Sequence, residues 1–303
     1  MKFGQVPNPA SVDFQLPVEP LANRARLDRY ELGSGEGRPR IYLGATGWSM
    51  KQWVGKWYPK GAKTKDYLRY YAEQFNTIEL NTTHYRIPTE ETVQAWYAAV
   101  PADFRFCPKL PKSISHVNSL GLGEDALPLF VAALDGLKEK LGCAFIQLPP
   151  YFDADRLPVI ERFLDRWPRL LPLALEVRHE SWFSDPFATE ALMDALAARG
   201  VAAVISDVAG RRDVLHGYVT APRTMVRFVG NGLIDSDFTR LAEWAGKLRE
   251  WNLPESFIFP HEPENVLAPE ASSWLAGHLA TLDFATTRGP APLDEEPEQM
   301  RLF

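Results

Sequence analysis

The sequence predicts a single-domain (β/α)8 TIM barrel, and three observations carry that expectation. Eight short apolar runs punctuate the 303 residues, beginning at Ile41, Asn76, Asp103, Gly142, Leu171, Val201, Thr224 and Ser256. Most of them are separated by stretches with helical periodicity. Nearly every run ends in a polar or charged side chain. Strand and helix alternating about eight times over roughly 250 residues is the layout of a barrel of parallel strands, and the C-terminal ends of those strands build the active site.

Taken in order, residues 1–38 are rich in Pro, Gly and charge, with a weak helical patch near Leu21–Leu32. They read as an N-terminal extension lying on the barrel or partly mobile. Residues 39–284 form the barrel domain. Within it, Leu68, Tyr71, Ala72 and Phe75 recur at helical spacing after the first strand. Leu157, Ile160, Phe163, Leu164 and Trp167 repeat the pattern after the fourth, as do Phe238, Leu241, Ala245 and Leu248 after the seventh. Such stripes pack against the outside of a sheet. Thr89, followed by Glu90 and Glu91, suits a helix N-cap whose first turn carries the acids its dipole favours. Asp235 or Ser236 can do the same before Phe238. After the sixth run, VAGRRDVLHGYVTAP shows no long stripe, so the barrel is expected to be irregular there, its sixth helix short or missing. Residues 285–303, where Pro and acids replace core-forming side chains, read as a flexible C-terminal tail.

A 46% hydrophobic content supports a sizeable core, and a net charge of -6 argues against non-specific wrapping of nucleic acid. Cys107 and Cys143, both inside strand-like runs, read as buried thiols. No run approaches the length of a membrane span and the first residues lack a continuous apolar signal core, so a cytoplasmic protein with no membrane partner is expected.

Period-two alternation sorts each strand into an outward face toward the helices and an inward face. Ile78 and Leu80 face outward, which turns Glu79 and Asn81 in. By the same logic Lys109, Gln147, Glu176, Arg178, Asp207 and Arg227 point inward from five further strands. Burying that many charges costs several kcal/mol each unless they are well paired, and a binding site supplies a reason for them. Guanidinium forks match two oxygens of a carboxylate or phosphate, so Lys109, Arg178 and Arg227 suggest a small anionic ligand. Glu79 and Glu176 are then candidate acid and base, with Lys109 as a third catalytic group, while Asn81 and Gln147 orient hydroxyls. Trp48, Tyr85 and Trp182, just past strand ends, could stack on a sugar or a base. No cofactor is expected. A divalent ion held by Glu79, Glu176, Asp207, His179 and His261 is the lesser alternative, because Arg178 competes for Glu176 and His179 points to the opposite face from Arg178.

These residues also carry a resemblance. GATGWSMKQWVGKWYPKG, YYAEQFNTIELNTTHYRIPTEETVQAWYAAVPADFRFCPKLPKSISH, EKLGCAFIQLPPYF and LALEVRHESWF resemble, in order and spacing, the YecE-like family, the domain of unknown function 72. The resemblance implies a TIM barrel similar to sugar isomerases, with no established reaction. It extends to Gly44, Gly47, Trp48, Glu79, Asn81, Tyr85, Arg86, Lys109, Gln147, Glu176, Arg178, His179 and Trp182. Two departures are visible: the family's seventh strand runs into His-Gly where this chain has Arg227 to Gly230, and the eighth ends in paired asparagines where this chain has His261 and Glu262. The expected activity is that of an isomerase or hydrolase on a polyhydroxylated anion such as a sugar phosphate.

A last feature points elsewhere. Gln299, Met300, Leu302 and Phe303 resemble a peptide that docks DNA-processing proteins onto the sliding clamp, after an acidic Pro-containing linker that would give reach. The alternative expectation is therefore a DNA-repair-linked barrel hydrolase, metal-dependent or not, or a non-catalytic adaptor recruited to the clamp.

Overall fold

The structure is a computed structural model that describes residue 4, residues 6–30 and residues 37–293. Eight parallel strands follow in sequence: β1 (Arg40–Ala45), β2 (Thr77–Leu80), β3 (Arg105–Pro108), β4 (Ala144–Gln147), β5 (Leu173–Glu176), β6 (Ala202–Asp207), β7 (Arg223–Val229) and β8 (Glu255–His261). Their hydrogen-bonded order is β3-β2-β1-β8-β7-β6-β5-β4. The two ends of that path meet through Leu110 N–H to Phe145 O at 2.8 Å and Gly142 N–H to Phe106 O at 2.8 Å, which closes the barrel. The eightfold sequence pattern thus becomes a (β/α)8 barrel. At Gly44 a side chain would run into the Thr77 carbonyl, so glycine lets β1 and β2 approach.

The helices are α1 (Leu21–Tyr30), α2 (Tyr67–Gln74), α3 (Glu90–Ala99), α4 (Lys112–Ser115), α5 (Ala126–Asp135), α6 (Leu157–Arg166), α7 (Ser181–Ser184), α8 (Pro186–Ala197), α9 (Asp235–Trp251) and α10 (Ala268–Leu282). Their apolar stripes pack where periodicity put them: Leu68, Tyr71, Ile160, Phe163, Leu241 and Leu248 are all buried. Thr89 caps α3, its hydroxyl accepting from Thr92 N–H at 3.3 Å. Thr89→Ala is expected to cost about 1 kcal/mol, the usual worth of such a cap, read as a lowered urea midpoint at unchanged slope.

Between β6 and β7 there is only a three-residue 3-10 turn, Arg212–Val214, in place of a helix. The N-terminal extension fills the gap. Asn23 on α1 donates to Gly217 O at 2.7 Å and accepts from Val219 N–H at 2.9 Å. Tyr30 reaches Thr220 O at 3.2 Å, and Arg26 pairs with Asp194 on α8 at 2.6 Å. The amphipathic signal of α1 is weak because polar side chains do this docking. At the other end the ordered chain runs past residue 284. A ninth strand, β9 (Thr286–Arg288), pairs parallel with β1, and Leu293 N–H bonds Lys56 O at 2.8 Å. The Thr-Thr-Arg segment finds a free strand edge there, so a tail beginning at 285 is corrected by at least these residues. Gln299, Met300, Leu302 and Phe303 lie outside the described residues.

The barrel interior is filled from all round by Tyr42, Cys107, Phe145, Ala174, Val204, Met225, Phe257 and Phe259. Tyr42 stacks on Phe257 with centroids 4.8 Å apart. Cys107 and Cys143 are free thiols in this packing. No helix among the described residues is long and apolar enough to cross a membrane.

Candidate active site at the barrel rim

Immediately above the apolar plug, the inward positions of β2, β5 and β7 carry Glu79, Glu176 and Arg227. All three are essentially inaccessible to water, at 0%, 1% and 2% exposure, so their mutual pairing decides whether they can exist as charges. Arg227 grips Glu79 with two parallel bonds, Nε to Oε2 and Nη2 to Oε1, both 2.9 Å. Its Nη1 reaches Glu176 Oε2 at 2.7 Å. Each carboxylate has further donors. Asn81 Nδ2 and His261 Nε2 serve Glu79, each at 2.9 Å. Gln147 Nε2 and Arg178 Nε serve Glu176, each at 2.7 Å. The outer amide oxygen of Gln147 accepts from Lys109 Nζ at 2.9 Å. Eight side chains, on six strands and the residues just past them, thus form one connected hydrogen-bonded layer.

The electrostatics follow from that wiring. Burial alone would raise both carboxyl groups. Arg227 and His261 outweigh it at Glu79, and Arg178 and Arg227 outweigh it at Glu176, so both stay well below the usual carboxylate range. They are permanent anions with every oxygen occupied, suited to positioning rather than to carrying a proton. Lys109 behaves differently. Burial, then Arg227, lower it to about 8, and no carboxylate pairs with it among the described residues. His261 is lowered by burial and is neutral near pH 7. Because Glu79 can only accept, the Nε2 proton of His261 goes to it, which leaves Nδ1 as the basic nitrogen, an arrangement that orients an imidazole for proton abstraction.

Above this layer opens a cavity of about 500 Å³, within the range of small-molecule sites. Asn81, Tyr85, Lys109, Gln147 and Arg178 line it from the β2–β5 side. Gly230, Asn231, His261, Glu262 and Glu264 line it from β7 and β8. Glu264 and Asn265 both hold positive φ (56° and 59°), a conformation that non-glycine residues seldom adopt and that tends to collect at binding sites.

Several residues expected at the rim sit elsewhere. Asp207 faces outward. It is held by Arg240 on α9 (Nη2 to Oδ1 2.9 Å), by Trp244 Nε1 (2.9 Å) and by Arg212. On β6 it is Ala202 and Val204 that fill the interior, while Ile205 packs with the helices, so the parity is opposite to the one assigned from sequence. Trp182 is fully buried behind the wall, its Nε1 donating to Phe152 O at 2.8 Å. His179 is tied to Ser181 Oγ at 2.7 Å at the start of α7, outside the cavity. Trp48 packs edge-on against Trp96, away from the lining. In return the structure adds His84, Asn231 and Glu262 to the lining and wires His261 into the charged layer. Thr46 and His261 are strand-end residues that the sequence pattern itself points to, and both line the cavity. Among the described residues, no three His, Cys, Asp or Glu side chains converge as a set that could hold a metal ion.

A parallel barrel with a polar cavity at the C-terminal ends of its strands defines the class: a TIM-barrel protein with its main polar cavity at the rim. Comparison with known proteins gives the family. The profile described as "Protein of unknown function DUF72" matches residues 42–295, and the chain belongs to that family. UPF0759 protein YecE of Escherichia coli K12 is 32% identical over 249 residues, covering 76% of this chain and 89% of that one. UPF0759 protein YunF of Bacillus subtilis is 28% identical over 162 residues, 50% of this chain and 55% of that one. A crystal structure of a DUF72 family protein from Enterococcus faecalis V583 superposes with a TM-score of 0.63 at 21% identity, covering 84% of this chain and all of that one.

Proposed function

We propose that the rim cavity binds a small anionic, polyhydroxylated compound, such as a sugar phosphate, and acts on it by acid–base chemistry of the isomerase or hydrolase type. The observation that carries this reading is Lys109: a buried ammonium at the cavity wall, bonded to the neutral amide of Gln147 and to no carboxylate among the described residues. With Asp207 turned outward, the layer of Glu79, Glu176, Lys109, Arg178 and Arg227 holds three cations against two anions. A bound anion supplies the missing negative charge at low dielectric cost. In this reading Glu79 and Glu176 position the layer, His261 is the base, and Lys109 holds the anion and stabilises charge that develops beside it. The amides of Asn81 and Gln147 are committed to the carboxylates, and that of Asn231 to Asp237, so hydroxyl contacts fall to Asn265 and Tyr85 around the mouth.

The test is calorimetric titration with a panel of phosphorylated sugars, followed by a turnover screen of those that bind. Lys109→Met is expected to weaken binding by about tenfold or more, the worth of a charge-assisted bond. His261→Asn is expected to leave binding measurable while removing turnover. No binding by any member, or binding untouched by Lys109→Met, would end the proposal. The pH dependence is also fixed in sign. The ammonium is the binding form, so affinity is highest below about 8 and falls as pH rises through it. Binding near pH 8 then takes up a proton, measurable as a buffer-dependent heat.

A further inference from the structure

The cavity is bipolar, and its acidic half is unexplained by an anionic polyol alone. On the β2–β5 side stand Lys109 and Arg178. Across the barrel axis, the β7–β8 side presents Glu262 and Glu264, and neither makes an ion pair among the described residues. Glu262 is the telling one. It is 4% exposed, so its carboxyl is effectively out of water. Oε2 accepts from Gly232 N–H at 3.0 Å, but Oε1 is buried with no hydrogen-bond partner among the described residues. A buried carboxyl oxygen left without a donor loses its hydration with nothing in exchange, and such a group in a cavity wall calls for a ligand that supplies one. The loop is shaped around it: a side chain at Gly230 would overlap the Glu262 carboxyl. Burial, then the nearby Asp237, raise Glu262 to about 7. A cationic partner would reverse that shift, whereas a neutral hydroxyl would do so only weakly.

We infer that the ligand carries a protonated amine as well as an anionic group: the anion lies against Lys109 on the β3 side and the ammonium donates to Glu262 Oε1 on the β8 side. This rests on the proposed anion site and narrows its substrate class to amino-bearing anions, for example an amino-sugar phosphate. The amine is recognised as a charge-assisted donor to a desolvated carboxylate, and Glu264 adds negative potential at the same wall.

Matched probes separate the two halves of the idea. Glucosamine 6-phosphate and glucose 6-phosphate differ in one group, amine against hydroxyl, and both are titrated into the wild-type protein at pH 7. The amino compound is expected to bind about tenfold tighter, the difference between a charged and a neutral hydrogen bond. In Glu262→Gln, which keeps shape and an acceptor but no charge, that preference, read as the ratio of the two affinities, is expected to fall to within about threefold. A thermal melt of the variant checks that the β7–β8 wall still folds. Equal affinity of the two probes in the wild type overturns the amine assignment and leaves the anion site standing. So does a preference that survives in Glu262→Gln. Failure of both probes to bind overturns the anion site and this inference together.

Discussion

Arg227→Met is expected to destabilise the barrel by about 3–5 kcal/mol, the cost of stripping the partner from a buried ion pair. Few single changes elsewhere should do as much. The guanidinium supplies three of the bonds that keep Glu79 and Glu176 ionised, and methionine supplies none while filling similar space. At Glu79 the remaining donors are Asn81 and a neutral His261. The variant's pH response distinguishes lost charge pairing from lost packing. In the wild type both carboxyls are depressed, so their contribution is present above the unfolded value near 4.3 and is lost as pH falls below it. In Arg227→Met, burial acts on Glu79 with little opposition and its folded-state value rises above the unfolded one. The folded variant then binds more protons, and its stability falls as pH rises. The deficit relative to wild type should therefore shrink between pH 7 and pH 5, measured by urea unfolding at each pH. A deficit constant across that window would assign the loss to packing.

The same layer shows how far the sequence could be read. Alternation assigned the faces correctly where the polar residues of a strand fell on one parity. In Thr-Ile-Glu-Leu of β2 and Leu-Ala-Leu-Glu of β5, one parity is apolar and the other is not, and Glu79 and Glu176 follow inward. β6 reads Ala-Ala-Val-Ile-Ser-Asp, apolar on both parities through Ile205 and polar on both at Ser206 and Asp207. Strands of a parallel barrel are covered on both faces, so such a run carries no parity signal, and Asp207 could be placed only by finding its partners. Those partners, Arg240 and Trp244 on α9 and Arg212 in the turn after β6, come from later in the chain, and no local pattern links them to it. Trp182 and His179 fail for a different reason: alternation ends with the strand, and α7 begins two residues beyond His179. The missing sixth helix was legible as an absence of periodicity. Its replacement by α1 was not, because α1 docks through Asn23, Arg26 and Tyr30 rather than an apolar stripe.

The outward turn of Asp207 leads to the second large effect. Asp207→Ala is expected to cost about 3 kcal/mol or more, because it strips a buried carboxylate from Arg240, which is 1% exposed. Arg240 keeps Asp237 at 3.2 Å, and that remaining pair limits the loss. Trp244 Nε1 also loses its acceptor inside a packed helix face. Among the described residues Asp207 shares no hydrogen-bond partner with Glu79, Glu176 and Arg227, so the affinity of a phosphorylated-sugar probe should stay within about twofold of wild type, the usual coupling of independent sites. Glu176→Gln is the contrasting change. Arg178, Arg227 and Gln147 all lose a charged acceptor there, and Gln147 is what holds Lys109. That variant should therefore lose affinity as well as stability. Paired unfolding and titration measurements on the two variants separate the roles. An Asp207→Ala protein that folds normally but no longer binds the probe would return Asp207 to the site and remove the charge excess on which the anion proposal depends.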